Sequence, residues 1–176
     1  MKYKNLNYLV IIIYLISSNL VYAIDRPDFK NLLIHKDKKK INNIEFINSK
    51  REKISLSEYI GNVIIINFWA TWCAPCREEM PLLNKIKSNI KYKNIDVLAI
   101  NIGGDSYEKS KIFFDDLNIS NLEIFIGSGV EISQELNIRG LPTTILVDKN
   151  GYEFARIIGY INFQNKEFLD WFNKFL

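Results

Sequence analysis

The stretch that most restricts the fold is the seven-residue run VIIINFW (63–69), which is followed at once by two cysteines and a helical pattern. The run is apolar except for Asn67, which is typical of a strand covered on both faces of a sheet. Apolar residues then recur at spacings of three and four, which predicts an amphipathic helix; they are Cys76, Met80, Leu83, Ile86 and Ile90. We therefore expect a buried central strand that leads directly into a helix packed on the same sheet.

Strand and helix patterns alternate along the rest of the chain. Strands are predicted at 95–101 and 122–126, β-hairpins at 44–56 and 143–158, and helices at 106–117, 130–136 and 164–176. This order predicts an α/β protein with three layers, in which a central mixed β-sheet is flanked by helices and extended by an N-terminal β-hairpin.

The first 23 residues have the pattern of an export signal. A short positive region, with Lys2 and Lys4, precedes the apolar block YLVIIIYLI (8–16), and small residues suited to cleavage end at Ala23. Residues 1–23 are therefore predicted to be a signal peptide or, if uncleaved, an N-terminal membrane anchor. Residues 24–40 are predicted to be a polar, irregular linker or N-terminal extension, and 41–176 a single domain.

The charge of the chain gives no sign of a nucleic-acid partner. Lys and Arg number 23 and Asp and Glu 20; removal of Lys2 and Lys4 leaves 21 against 20. The lysine-rich segment HKDKKK (35–40) is predicted to be a solvated loop, with His35 as a surface residue.

The only two cysteines, Cys73 and Cys76, are predicted to be a redox pair. A zinc site needs about four Cys or His ligands, whereas the chain offers these two cysteines and His35. As a structural staple the pair would close a loop of about four residues and remove little entropy from the unfolded chain. Cys73 lies at the predicted strand-to-helix junction, where the helix dipole favours a thiolate. Cys76, one turn later, can resolve the mixed disulfide that Cys73 forms.

Two motifs resemble one family. NFWATWCAPCREEMP (67–81) together with RGLPTT (139–144) resembles the thioredoxin superfamily, specifically the exported TlpA/ResA/CcmG-like thiol–disulfide oxidoreductases. The resemblance covers about residues 26–176. It implies that Pro142 is a cis-proline facing the cysteines, and that the backbone of Leu141 is free to pair with an extended substrate peptide.

The resemblance also assigns roles around the cysteines. Thioredoxins proper have a buried aspartate at the position of Asn67, which cannot titrate. In the ResA-like branch a glutamate three residues after the second cysteine takes part in the active site, and Glu79 matches it. The alternative for Glu79 is an exposed carboxylate favoured by the helix dipole. Trp72 is expected beside the nucleophile, where it shapes the docking surface, and Trp69 in the core.

The predicted function is reduction of protein disulfides outside the cytoplasm, for example in apocytochrome c during cytochrome c maturation. Ala74 and Pro75, between the cysteines, offer no charge that would stabilise a reduced thiolate. Such a reductase needs a membrane thiol-transfer protein as its electron source, and it needs no cofactor or metal. The expected location is the periplasm, in solution or anchored to the outer face of the cytoplasmic membrane. Alternatives are a non-catalytic peptide-binding module and a peroxiredoxin-like peroxidase.

Overall fold

The computed structural model describes residues 27–92 and 94–176, so the predicted signal segment lies outside the described residues. Within them, eight strands form one mixed sheet in the order β1-β8-β7-β4-β5-β6-β2-β3. The strands are β1 (Leu32–Lys40), β2 (Glu45–Ile47), β3 (Lys53–Ser55), β4 (Val63–Trp69), β5 (Ile95–Asn101), β6 (Ile124–Gly127), β7 (Thr143–Val147) and β8 (Tyr152–Ile158).

Helices cover both faces of this sheet. The α-helices in the described residues are α1 (Ala74–Ser88), α2 (Tyr107–Asp116), α3 (Gly129–Glu135) and α4 (Lys166–Phe172). Short 3₁₀ helices occur at Leu56–Tyr59, Ile90–Tyr92 and Asn173–Phe175. Ile90, predicted on the face of the first helix, therefore follows α1 rather than belonging to it. The three-layer α/β architecture and the N-terminal β2–β3 hairpin are confirmed.

The centre of the sheet is β4, every residue of which is buried. It runs parallel to β5 and antiparallel to β7. Its side chains alternate between two hydrophobic clusters: Ile65 belongs to the cluster under α1, α2 and α4, and Ile64 to the cluster under α3 and β2. A strand that is apolar along its whole length fits this position because both of its faces are covered.

The prediction of irregular structure and of a solvated loop is wrong for residues 32–40, which form β1 and extend the sheet. This strand pairs antiparallel with β8, and only Leu32 within it is buried. Because the pairing uses only backbone groups, lysine side chains can remain exposed along this strand. His35 is likewise not a free surface residue, since its Nε2 lies 2.7 Å from Glu153 Oε1.

Candidate active site

The cysteine pair lies where β4 passes into α1. Cys73 is the N-cap of α1, and its Sγ accepts a hydrogen bond from the backbone N–H of Cys76 at 3.3 Å. The sulfur therefore occupies the position where a helix N-terminus stabilises negative charge. The sequence prediction of a cysteine at the strand-to-helix junction is confirmed.

The two sulfurs form a disulfide, with the Cα atoms of Cys73 and Cys76 5.3 Å apart. Cys76 is fully buried, while Cys73 keeps 4% of its surface exposed. An external thiol or thiolate can therefore approach the pair only at Cys73, which is the asymmetry that an attacking and a resolving cysteine require.

A cis peptide bond joins Leu141 to Pro142, as the family resemblance implied. The next residue, Thr143, begins β7 and pairs with Phe68 of β4. Pro142 thus lies at the end of β4 that leads into the cysteine loop. Its carbonyl oxygen accepts a hydrogen bond from Gly159 N–H at 2.8 Å, which ties the cis-proline loop to the end of β8.

The two tryptophans of the motif have different environments. Trp69 is fully buried, as predicted, and packs against Phe113 and Phe114 of α2. Trp72, next to the outer cysteine, is 67% exposed, and its Nε1 donates to Gly103 O at 3.2 Å. A large exposed aromatic ring held by its one polar atom offers a rigid apolar contact surface.

Glu79 is fully buried, so its interpretation as an exposed carboxylate at the helix start is wrong. Asn67 Nδ2 donates to Glu79 Oε1 at 2.6 Å and to Thr144 Oγ1 at 2.9 Å. Desolvation by burial raises the pKa of Glu79 to about 8, against the opposing effect of the Asn67 hydrogen bond. This carboxyl group is therefore mostly protonated at neutral pH.

Two atoms of this buried group keep unused hydrogen-bonding capacity. Asn67 Oδ1 and Glu79 Oε2 are buried, and neither has a hydrogen-bond partner in the described part of the chain. A carboxyl group with a raised pKa and one uncommitted oxygen can take up or release a proton near neutral pH. Asn67 cannot titrate, as predicted, so within the Asn67–Glu79 pair the proton belongs to Glu79.

Sequence reasoning missed a second buried carboxylate, Asp105, on the loop after β5. It accepts hydrogen bonds from Thr71 N–H (2.8 Å), Thr71 Oγ1 (2.7 Å), Asn101 Nδ2 (3.1 Å) and Lys109 Nζ (3.1 Å). Burial alone would raise the pKa of Asp105, but these hydrogen bonds outweigh it and lower the pKa to about 2. Asp105 is thus ionised at neutral pH and holds the segment two residues before Cys73.

Gly103 completes this support. A Cβ atom on Gly103 would lie 2.2 Å from Ala70 Cβ, so a side chain cannot be accommodated there without displacing the segment before the cysteines. Its N–H donates to Asn101 Oδ1 at 2.8 Å, and its carbonyl holds Trp72. The sequence feature that could have indicated Asp105 is the set of polar residues directly after the buried strand β5. The parallel strand β4 ends beside them, at the same end of the sheet.

In residues 27–92 and 94–176, no group of three or more His, Cys, Asp or Glu side chains is arranged to hold a metal ion. No helix in that same part of the chain is long and apolar enough to cross a membrane.

The disulfide joins the N-cap and the first turn of the helix that follows the central strand. A cis-proline lies at the same end of that strand. Together these features define a thioredoxin-fold thiol–disulfide oxidoreductase. A family model described as the AhpC/TSA family matches residues 37–152, and the chain belongs to that family.

Relatives agree with this class. The chain is 37% identical over 103 residues to the thiol-disulfide oxidoreductase ResA of Geobacillus kaustophilus. This match covers 58% of this chain and 58% of that one. It is 29% identical over 176 residues to the protein of the same name from Bacillus thuringiensis, covering 99% of this chain and 98% of that one. A crystal structure of a secreted thiol-disulfide isomerase from Corynebacterium glutamicum superimposes with a TM-score of 0.68 at 26% identity, over 82% of this chain and 91% of that one.

Proposed function

We propose that the protein is an exported reductase of protein disulfides, in which Cys73 is the nucleophile and Cys76 the resolving thiol. The observation that carries this proposal is the asymmetry of the pair. Cys73 caps a helix and is the more accessible sulfur, whereas Cys76 is fully buried one turn later. Helix capping favours the thiolate that attacks, and burial keeps the second thiol from reacting with anything but Cys73.

The reaction consists of two thiol–disulfide exchanges. The Cys73 thiolate attacks one sulfur of a substrate disulfide, forms a mixed disulfide and releases the other substrate sulfur as a thiolate. Cys76, after losing its proton, attacks Cys73 Sγ and releases the second substrate thiolate. The substrate disulfide is reduced to two thiols, and the Cys73–Cys76 disulfide of the structure is the oxidised product.

In this proposal Glu79 exchanges the proton of Cys76. The two residues are one turn apart on α1, and both are fully buried. With a pKa raised to about 8 by desolvation, the carboxyl group is close to the ~8.5 of an ordinary thiol. A proton can therefore move between two such groups at little cost in either direction, which suits a pair of exchanges that must run repeatedly.

Trp72, Leu141 and Pro142 are proposed to bind the substrate polypeptide. Trp72 is exposed beside Cys73, and Leu141 is half-buried before the cis bond. The backbone of an extended substrate can pair with Leu141 while its apolar side chains contact the indole ring, a form of β-augmentation.

Several features support the direction and location of the reaction. Ala74 and Pro75 put no charge between the cysteines, so the reduced thiolate has no cationic neighbour there to stabilise it. The pattern of residues 1–23 favours export, and one structural relative is named as secreted. Electrons would then come from a membrane thiol-transfer protein, and apocytochrome c is a candidate substrate.

Trapping tests the proposal directly. Cys76→Ser should accumulate covalent adducts with substrate proteins because the mixed disulfide can no longer be resolved. Cys73→Ser, the matched control, should form none. A non-catalytic binding module predicts no reducible adduct with either variant. A peroxidase predicts oxidation of Cys73 by peroxide in preference to exchange with disulfides, and either outcome would overturn the proposal.

A further inference from the structure

A cavity of about 390 Å³ lies beside the cis-proline loop, between β1, β8 and the segment that leads from α3 to β7. Part of its lining is apolar and open to solvent. Leu33 of β1 and Ile158 of β8 both line it and are 46% and 51% exposed. Thr143, the residue after Pro142, also lines it, so the cavity adjoins the proposed substrate-binding loop.

The inner charges of this cavity are already compensated. Arg156 donates from Nε and Nη2 to the two carboxylate oxygens of Glu153 at 2.8 and 2.9 Å, and from Nη1 to Leu136 O at 2.7 Å. His35 contacts the same carboxylate. This pair connects β8 to the segment after α3 and keeps the cavity wall in place, which leaves no free charge there for a ligand.

The rim, in contrast, carries unused positive charge. Lys39 and Arg139 are exposed, and neither side chain has an ion pair or hydrogen bond to any described residue. Lys40, also on the rim, lies over the Tyr152 ring at 5.8 Å. Glu135 is the other charged rim residue, so three cations face one carboxylate. The cavity therefore combines an apolar surface with a positive edge.

Arg139 on the rim is close in sequence to the cis-proline loop beside the cysteines. Arg139 precedes Leu141 by two residues, which is about 7 Å in an extended backbone at roughly 3.3 Å per residue. A polypeptide bound covalently to Cys73 and paired with the backbone of Leu141 continues past Gly140 to Arg139. Its side chains two to four residues from the reacting cysteine then lie near Arg139. Lys39 of β1 lines the same cavity further along β8, opposite Glu153, where more distant residues of the polypeptide would pass.

We propose that this cavity is a specificity site for substrate polypeptides in which acidic and apolar residues flank the reactive cysteine. Lys39 and Arg139 attract the acidic side chains, while Leu33 and Ile158 contact the apolar ones. The inference rests on the proposed reductase function and adds to it the class of polypeptide that is reduced fastest.

Synthetic peptides test the site. Each peptide has one cysteine in a mixed disulfide with 2-mercaptoethanol, one leucine on either side of it, and beyond the leucines two aspartates, two asparagines or two lysines. The reduced full-length protein is mixed with each peptide, and kcat/KM is measured at low and high salt. The same series is run on a Lys39→Gln/Arg139→Gln variant and on a Lys50→Gln/Lys85→Gln control, which removes two exposed charges far from the cavity.

The parent and the control should reduce the acidic peptide about three- to tenfold faster than the neutral one, as expected for exposed ion pairs. The preference should fall at high salt, since screening weakens exposed charge pairs. It should largely disappear in the Lys39→Gln/Arg139→Gln variant. Equal rates for the three peptides with the parent, or an acidic preference that survives in that variant, would overturn the specificity site. Failure to reduce any peptide would instead refute the reductase function.

Discussion

Two buried carboxyl groups support the cysteine loop, and at neutral pH one is mostly protonated while the other is ionised. Burial raises the pKa of Glu79 on α1 to about 8, although a hydrogen bond from Asn67 and a backbone hydrogen bond from Ile161 both lower it. Asp105 after β5 receives four hydrogen bonds, one from a lysine, and its pKa is lowered to about 2.

The difference shows that burial alone does not set the charge of a carboxyl group. Desolvation acts on both residues in the same direction. The number of donors decides the result, because each donor compensates part of the hydration that the carboxylate has lost. Glu79 keeps an oxygen without a hydrogen-bond partner among the described residues and can exchange a proton near neutral pH, whereas Asp105 is ionised there and holds its neighbours in place.

The largest expected effect is on the pH dependence of stability through Glu79. Its pKa is 4.5 when unfolded and about 8 when native. Between these values the native state binds more protons than the unfolded state, so stability falls as pH rises. Relative to Glu79→Gln, the oxidised parent should lose about 4 kcal/mol between pH 4.5 and 8.5, at roughly 1.4 kcal/mol per unit. Urea unfolding of the oxidised proteins, in which the thiols do not titrate, measures this.

The exposed neighbour Glu78 supplies the control. Glu78→Gln should have the same pH profile of unfolding free energy as the parent. If the unfolding free energies of the parent and Glu79→Gln changed equally with pH, the pKa of Glu79 would not be raised in the native state. The proposed difference in charge state between Glu79 and Asp105 would then be wrong.

The next effect concerns Asp105. Asp105→Ala leaves Thr71 N–H and Asn101 Nδ2 without their acceptor and should reduce the free energy of unfolding at pH 7 by about 2 to 4 kcal/mol. Asp115→Ala, which removes an exposed carboxylate, is the control and should cost less than about 1 kcal/mol. Since the pKa of Asp105 is lowered, its contribution should diminish as pH falls from about 3.8 towards 2. An equal loss in the two variants would contradict an anchoring role for Asp105.

A smaller effect is expected on the thiols. Above pH 8 Glu79 is ionised, and its negative charge opposes ionisation of the cysteines nearby on α1. Glu79→Gln should therefore lower the apparent thiol pKa values of the reduced protein by about half a unit to one unit. The rate of alkylation as a function of pH measures this shift, with Glu78→Gln as the control. Superimposable profiles would remove Glu79 from the proposed proton exchange.

The smallest effect is expected for Lys109, which donates to Asp105 Oδ1 but is 66% exposed in its side chain. Lys109→Met should cost no more than about 1 kcal/mol, because the three other hydrogen bonds to Asp105 remain. Chemical denaturation at low and high salt measures the cost. A loss as large as that of Asp105→Ala would mean that the lysine charge, and not the number of donors, keeps this carboxylate ionised.

The central strands were predictable because their hydrophobic patterns are typical of buried strands. The bounds of β4 and β5 agree with the predicted ranges 63–69 and 95–101. Both are mostly apolar runs, interrupted by Asn67 in β4 and by Asp96 and Asn101 in β5, as is typical of strands covered on both faces. The position of Cys73 followed from the same strand, since the helical period begins immediately after it.

The first strand was not predictable in this way. Residues 35–40 contain four lysines, and β1 is defined by its backbone pairing with β8, more than a hundred residues later in the chain. Side-chain periodicity carries no information on such a partner. The missed contact of His35 with Glu153 has the same cause.

The site was predicted in part. The resemblance indicated Glu79 and the cis-proline, but the burial of Glu79 depends on how α1 packs on the sheet. Asp105 was missed because its main partner, Thr71, is 34 residues away and both residue types are common on surfaces. Charge state depends on such long-range packing, which motifs do not encode.

The position of β1 at one end of the sheet also affects how the molecule associates with itself. An outermost strand exposes a row of unpaired backbone groups that can recruit strands from other chains and start aggregation. β1 carries Lys36, Lys38, Lys39 and Lys40 along this edge. If a strand of another copy paired with this edge, the lysine side chains of the two copies would come together and lose part of their hydration. The lysines therefore oppose growth of the sheet at the β1 edge, which matters for a protein proposed to bind extended polypeptides.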